Sequence, residues 1–281
     1  MPITADTILA DIDWNLLWRN ARQQKSWSSK GPADWDKKAD SFASRNSNSP
    51  YISLLLKHLP LAPNLTVLDM GSGPGTLAIP LAGLVRSVTA VDYSAGMLEV
   101  LSRKASKADI HNIRTIRGAW EDDWQQLDIG IHDIAIASRS LAVADLSSAL
   151  AKLNNHAREY VFIADRISPT PFDPLAFAAI GRQFQSGPDY IYTVNTLYAM
   201  GIHACIDILQ LERDYVFHDM DEALQSYVWM FKDLSQDELA ALRDYVSSRV
   251  ILAEGSQVTI RREYPPRWAL IWWKKDQSLE K

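Results

Sequence analysis

Residues 67–75 read VLDMGSGPG, and no other stretch constrains the chain as much. A short apolar run carries an acid near its end, and glycines follow at alternate positions, Gly71, Gly73 and Gly75. Strand, glycine turn and helix in that order present backbone N–H groups and a helix N-terminus to a ligand. Three ligand classes use such a turn. A phosphate loop requires a lysine followed by Ser or Thr at the helix start; here Thr76 and Leu77 follow Gly75, and that reading fails. A dinucleotide loop spaces its glycines G-x-G-x-x-G. Gly71 and Gly73 fit, but the third position is Thr76 and Gly75 comes one residue early. Asp69, just before the turn, repels a pyrophosphate and attracts an ammonium group. The turn therefore suits a ligand with a cationic end.

The chain around it alternates strand and helix from Tyr51 to about Arg166. The strands are read as TVLDM (66–70), SVTAVDY (87–93), IRTIRG (113–118), DIAIAS (133–138) and EYVFIADR (159–166). Short apolar runs of this kind suit a parallel sheet covered on both faces. Leu77, Leu81 and Leu84 give one connecting helix its apolar stripe, as do Leu146, Leu150 and Leu153 behind the N-cap candidate Asp145. Ser94 caps a third helix through Met97, Leu98 and Leu101. Pro80 is tolerable only near its helix start. Asp92 closes the second strand, 17 residues past Gly75, where an acid takes both hydroxyls of a ribose. Asp92 alone is also compatible with NAD.

The flanks differ. Residues 1–50 are polar, with helices expected at Thr7–Arg22 and Asp34–Ala43 and a loop, SWSSKGP, between them. After the breaker cluster PTPFDP (169–174) come helices at Pro174–Gln183 and Asp189–Met200, the second stopped by Gly201. A strand, HACIDILQL (203–211), follows, then two helices opened by Asp219-x-x-Glu222 and Ser235-x-x-Glu238. RWALIWWKK (267–275) closes the sheet as a strand buried on both faces. Cys205 is the single cysteine, so no intrachain disulfide forms; it reads as a small buried hydrophobe.

VLDMGSGPG and VTAVDYSAGML, in this order on alternating strands and helices, resemble the two leading motifs of the class I S-adenosylmethionine-dependent methyltransferases. The resemblance covers Tyr51–Arg166 well and the closing strands more loosely. It implies an α/β fold: a doubly wound, mostly parallel seven-stranded sheet, Rossmann-like, with helical cap elements. Residues 1–50 would form an N-terminal helical cap segment. Residues 51–281 would form the methyltransferase domain, with helical cap insertions near 170–200 and 217–250. The implied cofactor is S-adenosyl-L-methionine. By the same resemblance Gly71, Gly73 and Gly75 admit its methionine part, Asp69 binds its amino group and Asp92 holds the ribose diol. Tyr93 and Met97 pack by the adenine, and GAWEDDW (118–124) reads the adenine edge. Ala119, Trp120 and Glu121 are assigned there, with core packing as the alternative for Trp120. Ser138 ends the fourth strand beside the cofactor.

The acceptor sits outside the carboxyl ends of the strands. Enzymes that methylate nucleobase or amide nitrogens carry Asn/Asp-Pro-Pro-aromatic after strand four, whereas this chain has Ser138-Arg139-Ser140-Leu141. Arg139 and Arg166 fall at adjacent strand ends and are expected either to bind an anionic group on the acceptor or to pair with carboxylates such as Asp165. No catalytic base is assigned. The six histidines show no metal-ligand spacing, so no metal is expected. A net charge of -5 disfavours nucleic acid as partner. With no basic leader and no long apolar run, a cytoplasmic protein is expected, without a membrane partner. The helices between His203 and Trp268, with the N-terminal segment and residues 170–200, are expected to roof a small-molecule acceptor pocket. RNA or protein methylation, a non-catalytic cofactor-binding module and an NAD-dependent oxidoreductase are the competing readings. The sequence does not assign an oligomeric state.

Overall fold

The computed structural model describes residues 9–25, 31–46 and 49–275. Among these residues ten strands run in chain order: β1 (Thr66–Met70), β2 (Ser87–Asp92), β3 (Ile113–Arg117), β4 (His132–Ser138), β5 (Ala157–Arg166), β6 (Cys205–Gln210), β7 (Asp214–Phe217), β8 (Val250–Glu254), β9 (Gln257–Arg261) and β10 (Arg267–Lys274). The helices before β4 are α1 (Trp14–Gln24), α2 (Pro32–Asp36), α3 (Ala39–Asn46), α4 (Pro50–Leu56), α5 (Ala78–Ala82) and α6 (Ala95–Lys107). Those after it are α7 (Leu146–Asn155), α8 (Pro174–Ala179), α9 (Tyr190–Ala199), α10 (Met220–Val228) and α11 (Gln236–Ser248). No helix among the described residues is long and apolar enough to cross a membrane.

Seven strands form one sheet in the order β3-β2-β1-β4-β5-β10-β6. It is parallel except at β10, which runs antiparallel to both neighbours. The doubly wound sheet expected from the sequence is thus present. The strand order reverses between β1 and β4, which opens a crevice at their carboxyl ends. Side chains alternate between two apolar faces. Leu68, Ala135, Val161 and Ile271 enter a core shared with α1 and α7, while Val67, Ile134, Phe162 and Leu270 enter one shared with α4 and α5. Burying each such aliphatic side chain contributes about 1.5–3 kcal/mol, so both helical layers are held to the sheet.

Edges depart from the sequence reading. β3 is an edge strand with its arginines exposed, not a run buried on both faces. β6 is the other edge, and Cys205 on it is exposed rather than buried. The helix expected through Leu84 is only Ala78–Ala82, and Leu84 is exposed. The expected Asp34–Ala43 helix is two helices, α2 and α3, meeting at Lys37 and Lys38. Asp13 caps α1 by accepting from the Leu16 amide; Thr7 and Ile8, and residues 26–30 of the SWSSKGP loop, lie outside the described residues.

The segment after β6 holds a second sheet, β7-β9-β8, that the sequence reading did not contain. With α8, α10 and α11 it encloses a separate core of Phe172, Phe177, Tyr227, Leu242 and Ile260. The Ser235/Glu238 capping box is complete, and Arg182 grips Glu238 with Nε and Nη2 at 2.6 and 2.8 Å. α9 instead packs with α1 and α7 on the large sheet.

Candidate functional site

β1 ends in a buried acid. Asp69 is 1% exposed and its Oδ2 has no hydrogen-bond partner among the described residues. Burial, reinforced by the charge of Asp92, pushes its pKa up to about 7. An unpartnered buried carboxylate oxygen is costly unless a donor arrives. An ammonium group satisfies it, which is the fit expected for the methionine amino group.

The glycine turn hangs between Asp69 and the end of β2. The Gly71 and Ser72 amides both donate to the Val91 carbonyl, at 2.8 and 2.9 Å. Gly71, Gly73 and Gly75 all take positive φ, 76°, 54° and 78°, but for different ends. A Cβ on Gly71 would run into the Ser140 side chain, and one on Gly75 would meet Leu101 Cγ at 2.9 Å. A Cβ on Gly73 would meet nothing within 4 Å. Gly71 and Gly73 line the cavity described below, whereas Gly75 lies outside it and serves loop-to-helix packing.

Asp92 accepts from the Gly73 amide at 2.8 Å and the Ser94 amide at 2.9 Å. Burial raises its pKa, and the amide donors oppose that rise. Each carboxylate oxygen has a second lone pair, so both remain able to accept a hydroxyl. Tyr93 and Met97 flank it on the cavity wall.

The turn after β3 is built from its own side chains. Asp122 accepts from the Ala119 amide at 2.8 Å, and Trp124 Nε1 donates back to the Ala119 carbonyl at 3.1 Å. Trp120 Nε1 donates to the Ser140 carbonyl at 3.1 Å, and Lys152 Nζ donates to the carbonyls of Trp120 and Asp122. Trp120 both lines the cavity and packs on the core, so the two alternatives for it coexist. Glu121 lines the cavity from an exposed position; the acid that orders this turn is its neighbour Asp122.

At the end of β4, Ser138 Oγ and the buried Tyr51 hydroxyl are 2.6 Å apart. Arg139 has a φ of 58°, and its guanidinium lies over the Tyr51 ring at 4.3 Å and the Trp268 ring at 5.4 Å. Ser138 and Arg139 both line the cavity. Arg166 does not: its Nε donates to the Pro188 carbonyl at 2.6 Å, and Asp165 and Asp189 act on its charge. The two arginines at adjacent strand ends therefore do not converge.

These residues surround one cavity of about 630 Å³. Its roof comes from the N-terminal segment, through Arg19, Arg22 and Lys25 at α1 and Trp35 and Phe42 on α2 and α3. Among the described residues none after Ala144 lines it, so residues 170–200 and the later helices do not supply the roof expected of them. The N-terminal segment is pinned in two places. Trp18 Nε1 donates to the Val143 carbonyl at 2.9 Å. Asp36 accepts from Ser94 Oγ at 2.6 Å and the Gly96 amide at 2.9 Å, and a Cβ on Gly96 would meet Asp36 Cα at 2.9 Å. Sequence reasoning missed Asp36, Gly96, Arg22 and Lys25. The available signal was Arg19, Arg22 and Gln23 recurring at helical spacing beside Trp18.

Comparison with known proteins agrees with this geometry. A family model described as a methyltransferase domain matches residues 67–159. An uncharacterized protein of Haemophilus influenzae is 33% identical over 249 residues, covering 88% of this chain and 90% of that protein. The YcgJ protein of Bacillus subtilis superimposes with a TM-score of 0.55 at 15% identity, over 81% of this chain and 98% of that one. A solved structure from Bacillus halodurans does so with a TM-score of 0.55 at 14% identity, over 82% of this chain and 100% of that one. At such identities the likeness to both structures is one of fold.

Proposed function

We propose that the chain is a class I S-adenosylmethionine-dependent methyltransferase and that it passes the methyl group to a small molecule held inside the cavity under α1–α3. The observation that carries this reading is the roof. Residues of α1, α2 and α3 line the cavity at the carboxyl ends of β1, β2 and β4 and narrow the approach that an RNA or a protein surface would have to make. Enclosed cavities of a few hundred cubic ångströms are the usual form of small-molecule sites. The net charge of -5 supports the same choice over nucleic acid.

Bound S-adenosylmethionine supplies an activated methyl electrophile, so the protein's tasks are binding, alignment and exclusion of water. In this proposal the Asp69 carboxylate takes the amino group and the open face of Gly73 lets the methionine part approach the backbone. Asp92 accepts the ribose hydroxyls. Met97, Tyr93, Ala119 and Trp120 enclose the adenine, with Glu121 at its rim. Ser138, held by Tyr51, and Arg139 face the acceptor half.

The test follows the label. Protein is incubated with methyl-tritiated S-adenosylmethionine and a cell extract, and the product is divided by ultrafiltration. Label in the small-molecule filtrate is the expected result; label retained on RNA or protein overturns the choice of acceptor. Binding of S-adenosylhomocysteine, measured by calorimetry, tests the cofactor assignment separately.

A further inference from the structure

Lys25, at the end of α1, is a half-buried cation without an anion. Among the described residues no carboxylate pairs with it, and its charged neighbours are two guanidiniums, Arg22 and Arg166. Burial and these two neighbours lower its pKa to about 8. Arg22 is in a similar position: its Nη1 is buried with no hydrogen-bond partner among the described residues, and its one acidic neighbour, Glu121, acts through charge alone. Its guanidinium carbon sits 5.9 Å from the Trp18 ring. Arg166 has two acidic neighbours, Asp165 and Asp189, so Lys25 is the member with none. Lys25 and Arg22 both line the cavity; Arg166 stands behind them.

Like charges gathered in a partly desolvated site repel one another, and a fold retains such a group where an anion offsets the repulsion. The arrangement is held from behind. Gly187 has a φ of 69°, and a Cβ there would meet Lys25 Cβ at 2.7 Å and Arg166 Nη2 at 2.9 Å. The loop before α9 therefore presses on both cations at a position where any side chain would displace them. Among the described residues no cavity carboxylate hydrogen-bonds to Arg22 or Lys25, and Glu121 acts on Arg22 through charge alone. Asp69 and Asp92 lie at the cofactor-facing ends of β1 and β2, and Glu121 is exposed.

We infer that Arg22 and Lys25 bind an anionic group of the methyl acceptor, a carboxylate or a phosphoryl group, so that the enzyme's substrate is an acidic small molecule. This rests on the methyltransferase reading above. The cofactor brings a sulfonium and an ammonium against a single carboxylate, so its arrival adds net positive charge to a cavity wall that is already cationic. An anionic acceptor restores the balance and is oriented by the same contact, with guanidinium and ammonium donors making charge-assisted hydrogen bonds.

The test uses whole protein saturated with S-adenosylhomocysteine and titrated calorimetrically with malonate, with inorganic phosphate and with uncharged 1,3-propanediol. One dianion is expected to bind once per chain and the diol not at all. Malonate alone identifies a carboxylate acceptor; phosphate alone identifies a phosphoryl one. Lys25→Gln and Arg22→Gln are each expected to weaken the bound dianion by about tenfold, while Lys25→Arg retains it and the affinity for S-adenosylhomocysteine stays unchanged. Binding should also fade as the pH rises beyond about 8, where Lys25 loses its proton and Arg22 and Arg166 keep theirs.

The inference is overturned if neither dianion binds to the saturated protein. It is equally overturned if a dianion competes with S-adenosylhomocysteine, or if Lys25→Gln and Arg22→Gln weaken S-adenosylhomocysteine instead, because the cations then serve the cofactor's own carboxylate. Failure of S-adenosylhomocysteine to bind at all is a different result: it removes the cofactor assignment itself.

Discussion

The Gly73 amide donates to Asp92 Oδ2 at 2.8 Å, so the turn after β1 and the acid closing β2 form one hydrogen-bonded unit. Asp92 thus holds the shape of the turn as well as facing the position given to the ribose. Asp92→Ala frees the Gly73 and Ser94 amides and removes both hydroxyl acceptors. Its affinity for S-adenosylhomocysteine should fall by about a hundredfold, since charge-assisted hydrogen bonds contribute about 1.5–3 kcal/mol each. Asp92→Asn keeps one acceptor oxygen and should recover part of the lost melting temperature but little of the affinity. Calorimetry beside thermal denaturation checks the split; parallel recovery of both would count against the double role.

Gly71 and Gly73 share a left-handed backbone but should respond differently to a methyl group. Gly71→Ala combines unfavourable φ with collision against Ser140 and should cost about 3 kcal/mol of stability. Gly73→Ala meets nothing in the protein, so only the backbone term of about 1 kcal/mol remains. Its methyl group would project where the cofactor is proposed to lie. Gly73→Ala should therefore bind S-adenosylhomocysteine poorly while melting close to the parent. Chemical denaturation and a binding titration on both variants decide the point.

The buried Asp69 makes cofactor affinity depend on pH. Its pKa in the folded protein is about 7, against an ordinary value of 3.8, so the folded state holds this proton more tightly than the unfolded chain. Without cofactor, the stability this group contributes is present below about pH 4 and is lost as pH rises toward about 7. Affinity runs the other way, because an ammonium group pairs with the ionised form. Lowering the pH from about 7 to about 6 should weaken S-adenosylhomocysteine binding by about fivefold and make binding release a proton. Titrations in buffers of different ionisation enthalpy measure that release. In Asp69→Asn the pH dependence should vanish; its persistence would mean another group is responsible.

Arg139 spans two elements by lying over Tyr51 of α4 and Trp268 of β10. Removing it as Arg139→Ala should lower stability by about 1–2 kcal/mol through the lost cation–ring contacts and packed stem. Arg139→Gly removes the same contacts but relaxes the positive φ, and should melt above Arg139→Ala. Equal melting of the two variants would show that backbone strain at this position is negligible.

The sheet and most of the cofactor-side wall were legible because they depend on local chemistry. Apolar runs, alternate glycines and an acid at a strand end carry their meaning within a few residues. The cap was less legible. VILAE, following the helix α11, reads as its apolar continuation, and DYVF and QVTIR are too short to announce strands. A signal did exist: Gly255 and Ser256 separate β8 from β9 as a two-residue hairpin loop, with Gly255 at a φ of 61°. Arg22, Lys25 and Asp36 were missed for another reason. Their meaning lies in partners far along the chain, Arg166, Gly187 and Ser94, and nothing local in a polar N-terminal stretch marks those pairings. Arg166 takes the second of its two readings, beside Asp165, since neighbouring strand ends need not aim side chains into the same space.

The roof has a consequence for synthesis. A ribosome releases the amino-terminal end first, yet α1 packs against Val143, α7 and α9, which emerge more than a hundred residues later. α1 must therefore wait for its dock. Until α9 arrives, α1 lacks part of its dock while α2 and α3 already have α6, so completing the α1 side of the cavity is expected to be a late step in maturation of the chain.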